Sequence, residues 1–411
     1  MGKHSKNTIN IKNIKKDKKK NSKQPIDKKI SEKELKKQKK DSKKDSKLKR
    51  KIKKIIIFII LIAILIFAIS KGISMYKWQT IAKEMISNTG STIVDKDGNI
   101  IATLGSEKIH KNISLQEMPD NLKNAYVSIE DERFYKHHGV DIKRTGSAIF
   151  SYIIHFGSSS FGGSSITQQL VKNITGNDTS SISRKVEEWS KAVELEFCLS
   201  KEEILESYLN IIYVGPNIYG VEMGAKYYFN KSAKDLSLEE CAFLAGINHS
   251  PNSYNPFQDI DRSEKIKKRT KLVLDKMLEL EYISNEDYEK AVSNVETGLN
   301  FKKGNLSSEN SAIYSYHTDA VISDVISDVA RKQNIDTTFA TNYINMAGLT
   351  IYSAQDSKIQ KQMEEEFEKS KHIIKSKNDS SVTSQAAMVV IDHTRGYVVG
   401  CVRRTWRKKH I

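Results

Sequence analysis

The chain has 411 residues, 38% of them hydrophobic, and a formal net charge of +17. The charge lies at one end, because residues 1–54 hold 24 of the 67 Lys and Arg but only 6 of the 50 Asp and Glu. The remainder is nearly neutral, which excludes a nucleic-acid-binding protein with a basic folded surface. Three cysteines are too few and too scattered for a disulfide framework or a zinc site.

Residues 1–54 form a basic tail that lacks aromatic side chains and mixes lysines with Ser, Asp and Asn. Its apolar surface is too small to offset the entropy of ordering the chain, so we expect a disordered tail. Two roles remain open for it. It sets membrane topology, or it binds acidic phospholipids at roughly 1 kcal/mol per basic residue close to the surface.

Ile55 to Ser70 is a run of 16 residues without a charge. A membrane span usually needs about 20 residues, so we place an anchor at residues 55–76. A cleaved signal peptide would have an n-region of over 50 residues here, and no small-residue cleavage pattern follows the run. Since basic flanks stay in the cytoplasm, we expect a single-pass plasma-membrane protein with its tail inside and residues from 77 onward outside.

The external region begins with a predicted hairpin at residues 91–104, which turns at Asp97-Gly98. From about 119 to 292 the pattern is helical. One apolar stripe predicts a helix that ends at the acidic run 130–132, and another predicts the buried face of a later helix. The two stripes are Leu122, Ala125, Tyr126 and Ile129, and Val186, Trp189 and Val193. A capping box at Ser200 to Glu203 opens the next helix, and further helices are expected at 237–247 and 263–280.

Apolar residues at 147–156 run into a Gly/Ser-rich segment. They indicate either a buried helix with a surface loop or a flap that enters the lipid interface. Residues 300–379 are more polar, with a helix expected near 313–330 and a strand at 348–352. Residues 386–402 predict a second hairpin.

The segment 162–173 begins with two glycines and continues through three hydroxyl side chains to Gln168, Gln169 and Lys172. Ser165 and Gln168 form a capping box, and such a helix N-terminus favours anions. A well-capped structural helix explains the serines and Gln168. It does not explain Gln169 and Lys172.

Arg184 and Glu188 are four residues apart. They form a surface ion pair, or Glu188 is a second carboxylate beside the cations of Arg184 and Lys172. The acidic run 130–132, taken alone, also fits a solvated helix end. Two carboxylates with nearby cations suit glycosyl transfer from a phosphorylated sugar, whereas a hydrolase does not need the cations.

Four segments resemble, in order and spacing, the successive motifs of the peptidoglycan glycosyltransferases of glycosyltransferase family 51. They are residues 130–139, 162–173, 184–196 and 204–215. The likeness extends from about residue 78 to 292. It implies a mainly α, lysozyme-like glycosyltransferase domain at 77–298 that polymerises lipid II outside the membrane.

The resemblance also implies roles for single residues. Glu130 matches the general base that deprotonates the acceptor hydroxyl, and Glu188 matches the second carboxylate on the donor and pyrophosphate side. The positions that hold the phosphosugar are Ser164, Gln168, Gln169, Lys172 and Arg184. The family's usual Thr after the first Ser is Ser165 here, which keeps the hydroxyl.

The implied partners are lipid II, the growing glycan strand, the bacterial plasma membrane and proteins of cell-wall synthesis or division. No cofactor is expected to be required. A divalent cation, Mg²⁺ or Mn²⁺, is compatible with a pyrophosphate leaving group, although the sequence contains no evident ligand cluster.

Residues 299–385 resemble the linker of class A penicillin-binding proteins, and residues 386–411 resemble the start of their transpeptidase domain. The Ser-x-x-Lys patterns begin only at Ser46 and Ser74, and Lys-Thr-Gly is absent. We therefore expect a truncated domain without transpeptidase activity. Two other functions stay open, a catalytically silent cell-wall scaffold and a muramidase-like hydrolase.

Overall fold

The computed structural model describes residues 25–403, except 88–89, 106–110, 147–162, 180, 307–313, 370–373 and 375–383. Side chains are described from residue 47 onward. The flap predicted at 147–161 therefore lies outside the described residues. The chain divides into two compact units, Met1–Ile73 and Ser74–Ile411.

A single helix, α1, runs from Pro25 to Ser87. Within it, Lys47–Ile86 is the one stretch of the described chain that is long and apolar enough to cross a membrane. Residues 25–54, which we expected to be disordered, are helical in the structure. Lys, Glu and Leu are good helix formers, and a helix that already exists in the apolar segment extends without a new nucleation cost.

The second unit is mainly helical, as the sequence predicts. Its helices are α2 (Asp120–Glu130), α3 (Ile166–Thr175), α4 (Ile182–Glu196), α5 (Lys201–Ile211), α6 (Val221–Phe229), α7 (Leu238–Ile247), α8 (Ser263–Glu279), α9 (Asn285–Thr297), α10 (Tyr316–Gln333), α11 (Thr337–Met346) and α12 (Ser357–Glu368). The capping boxes at the starts of α3 and α5 are both present, as predicted.

The described residues also form seven short strands: β1 (Thr92–Val94), β2 (Ile100–Thr103), β3 (Tyr213–Gly215), β4 (Ile218–Tyr219), β5 (Thr350–Tyr352), β6 (Ala387–Asp392) and β7 (Tyr397–Arg403). The two predicted hairpins are β1–β2 and β6–β7, both antiparallel. The strand predicted at 348–352 is β5, which pairs parallel to β1 and gives a sheet of order β2-β1-β5.

The core forms where α2 packs on α7 and α8, and where α3 packs between α4 and α5. All residues of α7 from Glu240 to Ile247 are buried. Tyr126 of α2 and Tyr208 of α5 are fully buried and meet edge to face, with ring centroids 6.2 Å apart. The end of α2 is thereby fixed against the neighbouring helices.

The region predicted as a linker packs against the helical domain. Phe339 of α11 meets Trp78 of α1 edge to face at 5.9 Å between centroids, and Tyr343 Oη donates to Glu84 Oε2 at 2.6 Å. With β5 in the first sheet, residues 316–368 belong to the same compact unit as α2 to α9. The boundary that we place at residue 298 stays a prediction from sequence.

The apolar stripe predicted for α4 is wrong at Val186, which is 53% exposed, whereas Trp189 and Val193 are half-buried. The buried residues of the helix are Glu188, Ala192 and Leu195. The helix packs on α3 by a face that includes a carboxylate, because neighbouring cations neutralise that carboxylate. A pattern of apolar residues alone gives no sign of this compensation.

Asp95 connects the first hairpin to α12. Its carboxylate is 2% exposed and accepts hydrogen bonds from the Asp97 and Asn99 N–H groups at 2.9 Å and from Ser357 Oγ at 2.6 Å. The Ser357 hydroxyl, followed by the Asn99 and Asp97 donors, lowers the pKa of Asp95 from 3.8 to about 2 against the opposing effect of burial. The ionised carboxylate is therefore stabilised in the folded state.

We expect Asp95→Asn to destabilise the protein by about 2 kcal/mol at pH 7. Because the folded pKa is lowered, this stabilisation is present above pH 3.8 and is lost as the pH falls toward 2. Urea unfolding at pH 7 and at pH 2.5 measures both values, with the exposed Asp97→Asn as control. An equal loss at the two pH values would contradict the prediction.

Candidate active site

Glu130 is the last residue of α2 and is half-buried. Gln169 Nε2 of α3 donates to Glu130 Oε2 at 2.7 Å, and Asn248 Nδ2, just after α7, donates to Glu130 Oε1 at 3.0 Å. Arg144 Nη1 donates to the Glu130 carbonyl at 2.6 Å. The side chain is therefore held at both oxygens by amide groups and remains partly accessible to solvent.

The neighbouring acids have other roles. Asp131 is 1% exposed and accepts from the N–H of Ile166, the first residue of α3, and from His137 Nε2, each at 3.0 Å. It therefore joins the end of α2 to the start of α3. Glu132 lies at the surface, 3.9 Å from Lys276. Of the acidic run, Glu130 alone has a carboxylate that accepts from two side-chain amides.

The start of α3 is closed by its capping box. Gln168 N–H donates to Ser165 Oγ at 3.1 Å, and Ser165 N–H donates to Gln168 Oε1 at 2.7 Å. Gln168 is 1% exposed, and its Nε2 has no hydrogen-bond partner among the described residues. One half of this side chain supports the helix start, and the other half is an unused donor.

Glu188 is 5% exposed and contacts two cations. Arg184 Nη1 donates to Glu188 Oε2 at 2.6 Å, and Lys185 Nζ donates to Glu188 Oε1. Lys185 Nζ also donates to Ser164 Oγ at 2.7 Å, which connects α4 to the segment before α3. Glu188 is therefore part of a buried charge cluster and does not form the surface ion pair that the spacing also allows.

Lys172 is exposed and lines a cleft with Arg184 and Glu188. The cleft has an empty volume of about 310 Å³ and is also lined by Glu187, Lys191 and Asp336, the residue that caps α11. Helix α3 thus carries Gln169, which contacts Glu130, and Lys172, which lines the same cleft as Glu188. Among the described residues, no group of three or more His, Cys, Asp or Glu side chains could hold a metal ion.

Three residues at the site escaped the sequence analysis. Lys185 lies in the motif segment 184–196, and its positive charge could have identified it as a candidate site residue. Tyr208, whose Oη accepts a hydrogen bond from Asn248 Nδ2 at 2.9 Å, lies among the apolar residues of α5, and that pattern predicts only that it is buried. Asn248 follows the end of α7 and carries no periodic signal.

Gly139 ends the loop that follows Glu130. Its φ is +79°, and a Cβ atom built there would lie 2.6 Å from the backbone carbon of Ala192 in α4. Its carbonyl accepts a hydrogen bond from Ser165 Oγ. The loop, α3 and α4 therefore meet at a point where a side chain does not fit.

We expect Gly139→Ala to destabilise the protein by about 2–4 kcal/mol, through backbone strain and steric overlap together. Gly98→Ala is the matched control, since Gly98 has a φ of +84° and nothing within 4 Å of its added Cβ. Thermal unfolding followed by circular dichroism compares them. Equal losses would show that overlap with Ala192 does not matter.

Two acidic centres on a helical scaffold, one of them paired with cations, are typical of enzymes that act on glycosyl groups. Residues 97–278 match the family model described as Transglycosylase, and the chain contains a domain of this family. The resemblance stated from the motifs is confirmed.

The curated relatives are penicillin-binding proteins. The chain is 38% identical over 314 residues to penicillin-binding protein 1A of Clostridium botulinum (strain Langeland), an alignment that covers 75% of this chain and 38% of that protein. It is 38% identical to the protein of the same name from Clostridium tetani, covering 75% and 40%, and 37% identical to penicillin-binding protein 1A/1B of Bacillus subtilis, covering 67% and 29%. The chain thus spans at most about 40% of the length of these three relatives.

Proposed function

We propose that this chain is a membrane-anchored peptidoglycan glycosyltransferase that polymerises lipid II into glycan strands and releases undecaprenyl pyrophosphate. The observation that carries the proposal is the Glu130 carboxylate, which accepts an amide hydrogen bond at each oxygen. Donors at both oxygens fix the orientation of the carboxylate, and a general base must be held within hydrogen-bond reach of the proton that it accepts.

In the proposed reaction, Glu130 takes the proton from the 4-hydroxyl of the acceptor GlcNAc. The oxygen attacks C1 of the donor MurNAc, the bond from C1 to the pyrophosphate oxygen breaks, and the configuration at C1 inverts. Lys172, Arg184 and Lys185 would balance the charge of the leaving pyrophosphate. Glu188 holds the last two in place.

Unused donors support an anionic ligand in this region. Arg184 Nε and Gln168 Nε2 are buried and lack hydrogen-bond partners among the described residues. Ser164 Oγ, which already accepts from Lys185, keeps its own proton to donate. These groups lie on or next to α3 and α4, the helices that line the cleft beside Glu188.

The muramidase-like alternative is less well supported. Hydrolysis needs two carboxylates but no cations beside them. In the structure Glu188 contacts both Arg184 and Lys185.

The location follows from the charge distribution. We propose the plasma membrane, with the basic residues before 55 in the cytoplasm and the Ser74–Ile411 unit outside, where lipid II and the growing strand are reached. Proteins of cell-wall synthesis or division are the proposed partners. A silent scaffold remains the second candidate function.

The deciding experiment incubates the purified full-length chain in detergent with labelled lipid II. Strands that muramidase digests to disaccharide units would support the proposal. A folded protein that makes no strands would favour the scaffold, and release of soluble fragments from finished cell wall would favour the hydrolase. Parallel reactions with EDTA, Mg²⁺ and Mn²⁺ test the divalent cation.

A further inference from the structure

A closed ring of hydrogen bonds includes the Glu130 carboxylate. Its four members are the side chains of Glu130, Gln169, Tyr208 and Asn248. Tyr208 Oη donates to Gln169 Oε1 at 3.0 Å, and Asn248 Nδ2 donates to Tyr208 Oη at 2.9 Å. The bonds from Gln169 and Asn248 to Glu130, at 2.7 and 3.0 Å, complete the ring. Its members come from α2, α3, α5 and the residue after α7.

The hydroxyl proton of Tyr208 determines which atoms donate and which accept in this ring. Burial, and after it the charge of Glu130, raises the pKa of the Tyr208 phenol well above its ordinary value, so the phenol stays neutral. Its oxygen faces the Asn248 amide N–H group, so its one proton is directed to Gln169 Oε1. The Gln169 amide is thereby oriented with its N–H₂ group toward Glu130.

We propose that Tyr208 and Asn248 are positioning residues for Glu130, which hold its carboxylate aimed at the acceptor hydroxyl. This inference rests on the proposed glycosyltransferase function and assigns the orientation of its base. A Glu side chain rotates about three bonds, and a misplacement of about 1 Å can reduce turnover by about 100-fold. The ring removes that freedom before substrate binds.

A matched control lies beside the ring. Tyr126 is as fully buried as Tyr208 and packs against it, but its hydroxyl donates to the backbone carbonyl of Leu244 at 3.0 Å. Tyr126→Phe and Tyr208→Phe each remove one buried hydroxyl and keep the aromatic ring. Only the second removes a member of the ring around Glu130.

The first test is steady-state polymerisation of lipid II by the full-length chain in detergent. We expect Tyr208→Phe and Asn248→Ala to lower kcat by about 10- to 100-fold with KM within about 2-fold, because substrate contacts remain and only the base loses its orientation. The double variant should be little slower than the slower single variant, since both act through one carboxylate. Equal turnover of Tyr208→Phe and Tyr126→Phe would overturn the proposal and leave the proposed function intact.

The second test does not depend on activity. Thermal unfolding of Tyr208→Phe, Glu130→Gln and their double variant should show losses in Tm that differ from additivity by about 2 °C or more. Tyr126→Phe combined with Glu130→Gln should be additive. Additive losses in both pairs would overturn the ring whether or not the parent protein polymerises lipid II.

Discussion

Glu130→Gln is expected to reduce the rate of glycan polymerisation by about 1,000-fold, which is within the range that a general base contributes. The amide keeps the size of the side chain but cannot accept the proton of the acceptor hydroxyl. It also places an N–H₂ group against donors from Gln169 or Asn248. The measurement is initial-rate polymerisation of labelled lipid II at saturating substrate.

The control is Glu132→Gln. Glu132 lies two residues further on, is 46% exposed at its side chain and lies 3.9 Å from Lys276 Nζ. We expect its rate to stay within about 2-fold of the parent, since exposed charges contribute little. If Glu130→Gln kept the parental rate, Glu130 would not be the base, whatever Glu132→Gln did.

The secondary structure that supports this site is predictable because its signals are local. The stripe from Leu122 to Ile129 predicts α2, and Ser165 with Gln168 predicts the start of α3. Both are confirmed. A helix needs only the pattern of its own residues, so a single sequence is sufficient for it.

The contacts that select Glu130 are not local. Asn248 is separated from Glu130 by 118 residues, and Gln169 by 39. Such pairs depend on how the helices pack, and a single sequence does not give that packing. Sequence alone could therefore nominate Glu130 through a resemblance to known motifs, but it could not place the amides around it.

Compensation of charge explains the failure at α4. A carboxylate is normally exposed, so the pattern placed Val186 inside and left the position of Glu188 open. In the structure Val186 is exposed and Glu188 is buried, because Arg184 and Lys185 neutralise Glu188 within one turn of the helix.

The strand β5 was predicted from its own residues, but its pairing was not. Its partner β1 lies more than 250 residues earlier in the chain.

Glu188→Gln is the second change with a large expected effect. Loss of the carboxylate leaves the Arg184 and Lys185 cations, whose side chains are 18% and 17% exposed, without the charge that both of them contact. We expect a loss of about 3 kcal/mol in stability. The rate of polymerisation should fall by about 100-fold or more, because Lys185 also loses the position from which it contacts Ser164. Urea unfolding and initial rates measure the two effects.

A second variant separates the two effects. Lys185→Met combined with Glu188→Gln removes one cation with the carboxylate, so that Arg184 no longer faces a second positive charge. Stability should partly recover, whereas the rate should not, because Ser164 and the leaving group have lost a cation. Glu194→Gln on the same helix, where the Glu194 carboxylate accepts a hydrogen bond from Ser190 Oγ at 2.9 Å, is the control. A rate that recovered together with the stability would mean that Glu188 serves the fold of α4 and has no part in the reaction.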